Sequence, residues 1–266
     1  MSHDPASPSI ACSVEGGLAR LVLDQPDRGN PIDGRFCRDL REIVCDLSER
    51  PDLRAVLMTA RGRVFSVGGD ITSFSRDRAA LPGIVKTWTA DLHVAIARLM
   101  RLSTPVVAAV HGNVAGGSVS LVASADIVYA APNARFAAAF PLIGFSSDSG
   151  STVTLTQRMG IARAKRFLLL GETLKAEEAQ AAGLVDFVVA EAQLQEEAEA
   201  TAMRFAAGAT QAYGGIKRLM LGARTESLET QMENEAQTLA SISRSDDAWE
   251  GLAAFAARRP ARFRGR

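Results

Sequence analysis

The sequence predicts an α/β fold that gives way to helix alone towards its C-terminus. Three observations carry this. Short apolar runs of strand length alternate with longer windows of helical period up to about residue 190. A strand, loop, paired-glycine and helix unit occurs twice, as "AVLMTARGRVFSVGGDI" and as "PVVAAVHGNVAGGSVSL". From Glu191 onward Ala, Glu, Gln and Leu dominate and no strand pattern remains. A soft boundary near residue 200 therefore separates an expected core, residues 1–200, from an expected helical region, residues 201–266.

Taken in order, "GGLARLVLDQP" alternates as a strand and is ended by Pro26. In "DGRFCRDLREIVCDLSER", Phe36, Leu40, Ile43, Val44 and Leu47 recur at helical spacing opposite a polar face. "LRAVLMTA" reads as a short buried strand. "RGRVFSVGGDITSF" turns through Gly68 and Gly69 into a weak helical stretch, and residues 75–82 are expected to form a mobile loop. A helix is expected from about Gly83 to Leu102, stopped by Ser103, Thr104 and Pro105. Then come the strand "PVVAAV", the second glycine turn, a short helix and the strand "DIVYAA". "ARFAAAF" fits one more short strand. "GSTVTLTQRMGIARAKRFLLLG" reads as two helices broken at Gly160, and "KAEEAQAAGLVDFVV" as a helix, a glycine stop and a strand.

Composition narrows the partners. The chain has 266 residues, 47% hydrophobic and 23% charged, enough for a substantial core. Its 30 Lys and Arg balance its 30 Asp and Glu, so nothing advertises a nucleic acid or an anionic membrane. Cys12, Cys37 and Cys45 lack metal spacing and read as reduced thiols. His3, His93 and His111 are too few for a histidine-rich metal site. The start "MSHDPASPSIACSV" lacks an apolar signal segment, and the longest apolar run, Thr104 to Val110, is too short to span a bilayer. A cytoplasmic protein is expected.

The two glycine turns hold the chemistry. A helix start offers unpaired N–H groups and the positive end of a dipole, and glycine permits close approach by another molecule. Two such turns can aim one N–H each at a single oxygen, the geometry that stabilises charge developing on a carbonyl. A tight structural turn is the plain alternative for either one. The spacings of G-x-x-x-x-G-K-[ST], G-x-G-x-x-G and G-x-S-x-G are all absent, which disfavours nucleotide loops and a nucleophile elbow.

At these residues the sequence resembles the enoyl-CoA hydratase/isomerase (crotonase) superfamily. "LVLDQPDRGNPID" resembles its first strand and Asn-Ala turn, with Pro31 in place of the alanine. "GRVFSVGGDI" and "STPVVAAVHGNVAGGSVSLVASADIVYAA" resemble its two glycine turns, and "AEEAQAAGLVDFVV" and "GLAAFAARRPARFRGR" also fit. The resemblance implies a spiral of ββα turns followed by a helical region that makes homotrimers or dimers of trimers. It implies an acyl-CoA thioester as substrate, with no separate cofactor and no metal. It maps the oxyanion donors to Gly69 and Gly117 and places Ser66, Gly68 and Ile71 at the adenine end of coenzyme A through their backbone. Arg28 falls near a common site for a base facing the CoA phosphates, and Phe263 with its neighbouring arginines is a further CoA candidate, in the same or another subunit.

The sequence also departs from the hydratases of that family. Their two acid/base glutamates align with Ser120 and Phe140, neither of which serves as a proton acceptor. One carboxylate remains nearby, Asp148 in "GFSSDSGST", which resembles the "G-(L/F)-x-x-D-x-G" version of this segment in relatives that shift double bonds, isomerise ring-derived esters or displace aromatic chloride. Asp148 is thus a candidate acid/base, with Phe140, Leu142, Ile143 and Phe145 as apolar surroundings that would raise its pKa. An N-cap role fits the same "SSDSGST". His93 matches a histidine that assists chemistry in the dehalogenase relatives, and a histidine packed against the pocket is the plainer reading. Trp88, one turn earlier, fits either an acyl-pocket wall or the core, and His111 reads as structural. The favoured expectation is an enoyl-CoA isomerase working through an enolate with Asp148 as its one acid/base. Hydratase or aryl-CoA dehalogenase chemistry on the same scaffold, and a non-catalytic acyl-CoA-binding protein, are the alternatives.

Overall fold

A computed structural model describes residues 8–266; residues 1–7 of the polar start, including His3, lie outside the described residues. The chain opens with a hairpin, β1 (Ile10–Glu15) and β2 (Leu18–Leu23), followed by helix α1 (Gly34–Glu49) and strand β3 (Ala55–Ala60). Then come α2 (Ile71–Phe74), α3 (Leu81–Arg101), β4 (Val106–Val110), β5 (Asn113–Ala115), α4 (Gly117–Ala123), β6 (Ile127–Ala130) and β7 (Arg135–Ala137). The rest runs through α5 (Ser151–Met159), α6 (Ile161–Leu170), β8 (Thr173–Lys175), α7 (Ala176–Ala181), β9 (Phe187–Val188), α8 (Leu194–Ala206), α9 (Thr210–Gly222), α10 (Leu228–Ile242) and α11 (Asp246–Ala256).

Six strands form one sheet in the order β1-β2-β3-β4-β6-β9, antiparallel between β1 and β2 and parallel thereafter. A smaller sheet has the order β5-β7-β8. Single bridges, Ile32 with Gly69 and Ser66 with Val114, extend this second layer towards the N-terminus. Each turn of the chain thus adds a strand to the large sheet, a short extended segment to the second layer, and a helix. This is the ββα spiral that the resemblance implied.

Strand alternation explains the packing. In β3, Val56 and Met58 face the core shared with α1 and α3, while Ala55 and Leu57 face Leu194, Ala198 and Ala202 of α8. The expected boundary at residue 200 therefore falls inside α8, a continuous helix that covers the sheet, and the separate helical region begins with α9. Of residues 75–82, expected to be a loop, the last two already belong to α3, which starts at Leu81 with Pro82 in its opening positions. His111 is structural, its Nε2 lying 2.9 Å from the Gly62 carbonyl oxygen. All three cysteines are free thiols. Among the described residues no helix is long and apolar enough to cross a membrane.

Candidate active site

The first glycine turn is held by Asn30. Its side-chain oxygen accepts from the Gln25 N–H at 2.8 Å, and its amide nitrogen faces the carbonyls of Arg61, Val64 and Phe65 at 2.9–3.1 Å. Gly68 then takes a left-handed conformation, φ +82°, and a Cβ there would collide with the Ala115 carbonyl, its carbon being 3.0 Å away. Only glycine brings the first turn this close to the second. The bridge to Ile32 uses the Gly68 carbonyl and the Asp70 N–H, so it passes over Gly69 and leaves the Gly69 N–H without a protein acceptor among the described residues.

The second turn is anchored by Gly116, φ +54°, whose N–H donates to the Ala137 carbonyl at 2.9 Å. The Ser118 hydroxyl braces it, accepting from the Ala115 N–H and donating to the Ala115 carbonyl. Gly117 is the first residue of α4, where a helix has no internal acceptor for an N–H, and it has none elsewhere among the described residues. Both unspent N–H groups belong to residues lining one cavity of about 160 Å³.

Asp148 lines the same cavity. A Cβ built on Gly117 would stand 3.4 Å from its Oδ1. The N-cap of α5 is Gly150, with no side-chain cap bond, so the capping alternative fails and the carboxylate is left to the cavity. Burial pushes its pKa above the ordinary aspartate value, opposed by the hydrogen bond from the Ser149 hydroxyl. That hydroxyl donates to Oδ1 at 2.9 Å. Ser149 itself is buried and left-handed, φ +55°, and its N–H donates to His93 Nε2 at 3.0 Å.

Trp88 and Phe140 line the cavity, and Ile71 stands half-exposed at its mouth. Others fall elsewhere. Ser120 is fully buried in α4, outside the cavity, its hydroxyl without a hydrogen-bond partner among the described residues. His93 is not a pocket wall: α3 turns Val85, Trp88, Thr89 and Leu92 to the cavity at helical spacing, and His93, one step round, lies in an adjoining groove with Ala97 and Met100. Leu142 packs over Gly171 and is largely exposed rather than surrounding Asp148.

The expected CoA contacts also need correction. Arg28 is engaged by Asp33 at 2.7 Å and Asp70 at 3.1 Å, so its charge is already matched by two carboxylates. Ser66 donates its N–H to Asn113 and accepts from Ala115, and its hydroxyl braces Asn30 and Gly68. The Gly68 carbonyl accepts from Ile32. These two residues build the turn instead of offering free backbone. Phe263 packs on Gly251 of α11, away from the cavity of its own chain.

Several cavity residues were not singled out from the sequence. Phe74 lies in the segment that reads only as weak helix, Ser149 beside the more conspicuous Asp148, and Cys37 on a helix face that reads as core. The Cys37 thiol, pushed up to about 12 by burial, stays neutral.

Comparison with known proteins agrees with this architecture. The family model for enoyl-CoA hydratase/isomerase matches residues 13–266. The chain belongs to the enoyl-CoA hydratase/isomerase family. It is 33% identical over 258 residues to 1,2-epoxyphenylacetyl-CoA isomerase of Escherichia coli (strain K12), covering 97% of this chain and 98% of that protein. It is 29% identical over 260 residues to trans-2-decenoyl-acyl-carrier-protein isomerase of Streptococcus mutans, at 97% and 98% coverage. A crystal structure of an enoyl-CoA hydratase from Polaromonas sp. JS666 superposes with a TM-score of 0.90 at 29% identity, covering 96% of this chain and 99% of that one. Crotonase enzymes act on acyl-CoA thioesters, and the fold of this chain is that of its family.

Proposed function

We propose that this enzyme shifts a double bond in an enoyl-CoA, with Asp148 as its one acid/base and the Gly69 and Gly117 N–H groups as the oxyanion hole. The observation that carries the reading is the meeting of these three groups in one cavity from which the two hydratase carboxylates are missing. Phe140 stands at one of those positions and cannot titrate; Ser120 stands at the other and is buried outside the cavity.

The thioester oxygen sits between the two N–H donors. The Asp148 carboxylate takes a proton from the α-carbon of a β,γ-unsaturated ester, and the electron pair moves into a dienolate whose negative charge lies on that oxygen. The donors stabilise the charge as it develops. Protonated Asp148 then returns the proton to the γ-carbon, leaving the double bond between the α and β carbons. One group suffices because the base that removes a proton becomes the acid that returns one. The raised pKa suits this exchange, and the apolar walls Ile32, Leu92 and Phe145 keep water from the dienolate. A relative named as a trans-2-decenoyl thioester isomerase supports the reading. Coenzyme A belongs to the substrate, and neither a metal nor a redox group takes part in these steps.

Asp148→Asn keeps the shape of the side chain and removes the base. It is expected to lower double-bond migration and α-deuterium exchange by about 10²–10⁴-fold while an acyl-CoA still binds. Undiminished exchange in that variant, or release of a 3-hydroxyacyl-CoA by the native enzyme as its main product, would reject the proposal.

A further inference from the structure

The shape of the cavity says something about the acyl group. Four aromatic side chains line it: Phe74, Trp88, Phe140 and Phe145. Phe74 is the centre of a continuous wall, its ring centroid 5.2 Å from Trp88 and 5.9 Å from Phe145, both tilted by 36°. Phe140 adds a ring beside the Gly116 turn. Trp88 is seated by a missing side chain. Gly34, the first residue of α1, has no Cβ, and one placed there would collide with the indole, whose Cε2 would be 3.0 Å away.

Depth can be read from exposure. Val67, Ile71 and Ile143 are about half exposed and form the mouth, while Ile32, Cys37 and Leu92 are buried and close the floor. Between mouth and floor the volume is about 160 Å³. An apolar cavity of roughly 150 Å³ accepts one benzene ring. Apart from Asp148, the Cys37 thiol, the backbone of the two glycine turns and the hydroxyls of Thr89, Ser146 and Ser149, the walls offer an acyl group hydrocarbon and aromatic faces.

We infer that the enzyme selects a compact, uncharged six-membered-ring acyl group over a straight chain of the same carbon number. This deepens the proposed isomerase reading and rests on it for catalysis, but not for binding. A flat or half-flat ring meets aromatic walls on its faces, whereas an extended chain runs into the closed floor before its carbons are buried.

Two measurements separate the inference from the reading beneath it. Calorimetry compares the saturated esters cyclohexylacetyl-CoA and octanoyl-CoA, which have equal carbon counts and need no chemistry. The ring ester is expected to bind about tenfold more tightly. Turnover then compares 2-(cyclohex-1-enyl)acetyl-CoA with trans-3-octenoyl-CoA, each of which loses an α-proton and regains a proton at the γ-carbon. The ring substrate is expected to have the higher kcat/KM by a similar factor. Gly34→Ala, a change that by itself favours helix, pushes Trp88 from its seat and is expected to reduce ring binding more than octanoyl binding. Octanoyl-CoA binding as tightly as the ring ester, or a Gly34→Ala variant that leaves the preference intact, would overturn the inference. Ring-selective binding without turnover of either substrate would leave the inference standing and count against the isomerase reading.

Discussion

Asp148 is held in a place that favours its chemistry and opposes its charge. Burial raises its pKa, so the native state binds the proton more tightly than the unfolded chain does. The sign follows: this group detracts nothing below the unfolded aspartate range and costs stability as pH rises through its folded pKa. Asp148→Asn is therefore expected to melt above the native enzyme at pH 7–8, with the gap closing as pH falls towards 4; thermal unfolding across that range measures it. Ser149 limits the cost by donating its hydroxyl to the carboxylate. Removing that donor in Ser149→Ala should raise the Asp148 pKa further and move the acidic limb of the kcat/KM profile to higher pH. Ser149→Gly relieves the left-handed backbone as well, a conformation that costs other residues about 1–2 kcal/mol. The same limb shift in both variants would assign it to the hydroxyl, and an unmoved limb in both would deny the role. Asp148, Gly69 and Gly117 were legible in the sequence because each occupies a motif position. Ser149 was not, because its importance lies in a backbone angle and in a bond to His93, 56 residues away.

Elements fold where the sequence has enough length to state a period. Helix α1 and the strands β3 and β4 read directly, since each carries its own apolar pattern. The three-residue strands β5 and β8 do not: they exist only by pairing with β7, and no three-residue pattern specifies a strand. Strand β1 escaped notice because it is an edge strand whose Cys12 and Ser13 are exposed, diluting the alternation. Apart from β7, expected at "ARFAAAF", the second sheet is the invisible part, yet it sets the spacing of the two turns, since β5 leads into Gly116 and bridges back to Ser66. This makes Gly68 the most sensitive joint. Gly68→Ala combines a left-handed φ with a collision against Ala115 and is expected to destabilise by at least about 1 kcal/mol and to displace the Gly69 N–H. Gly83→Ala is the control, since its Cβ meets nothing within 4 Å and α3 gains a better helix former. Denaturant unfolding of the two variants should separate them, and equal stabilities would show that the turns do not depend on that close approach.

The C-terminal helices of the molecule carry large apolar side chains that stand exposed. On α10, Leu228, Met232 and Leu239 are each at least half exposed, and on α11 so are Trp249, Leu252 and Phe255, the last at 87%. These side chains do not belong to either buried core cluster. Nor is α11 loose: the Asp247 carboxylate accepts from the backbone N–H groups of Arg264 and Gly265 at 2.6 and 2.7 Å, and Glu250 pairs with Arg259, so the C-terminal tail is tied along the helix. A rigid helix with an uncovered apolar face is a surface prepared for another surface. We expect homotrimers or dimers of trimers built through this face, as the family resemblance implies. Leu252→Asp with Phe255→Asp places two charges where burial would be required while leaving Asp247 and Ala254, the residues that α11 buries, untouched. The double variant should sediment as a monomer of 28.2 kDa with its circular dichroism retained. A variant that still sediments as the native species would move the subunit contact to another face.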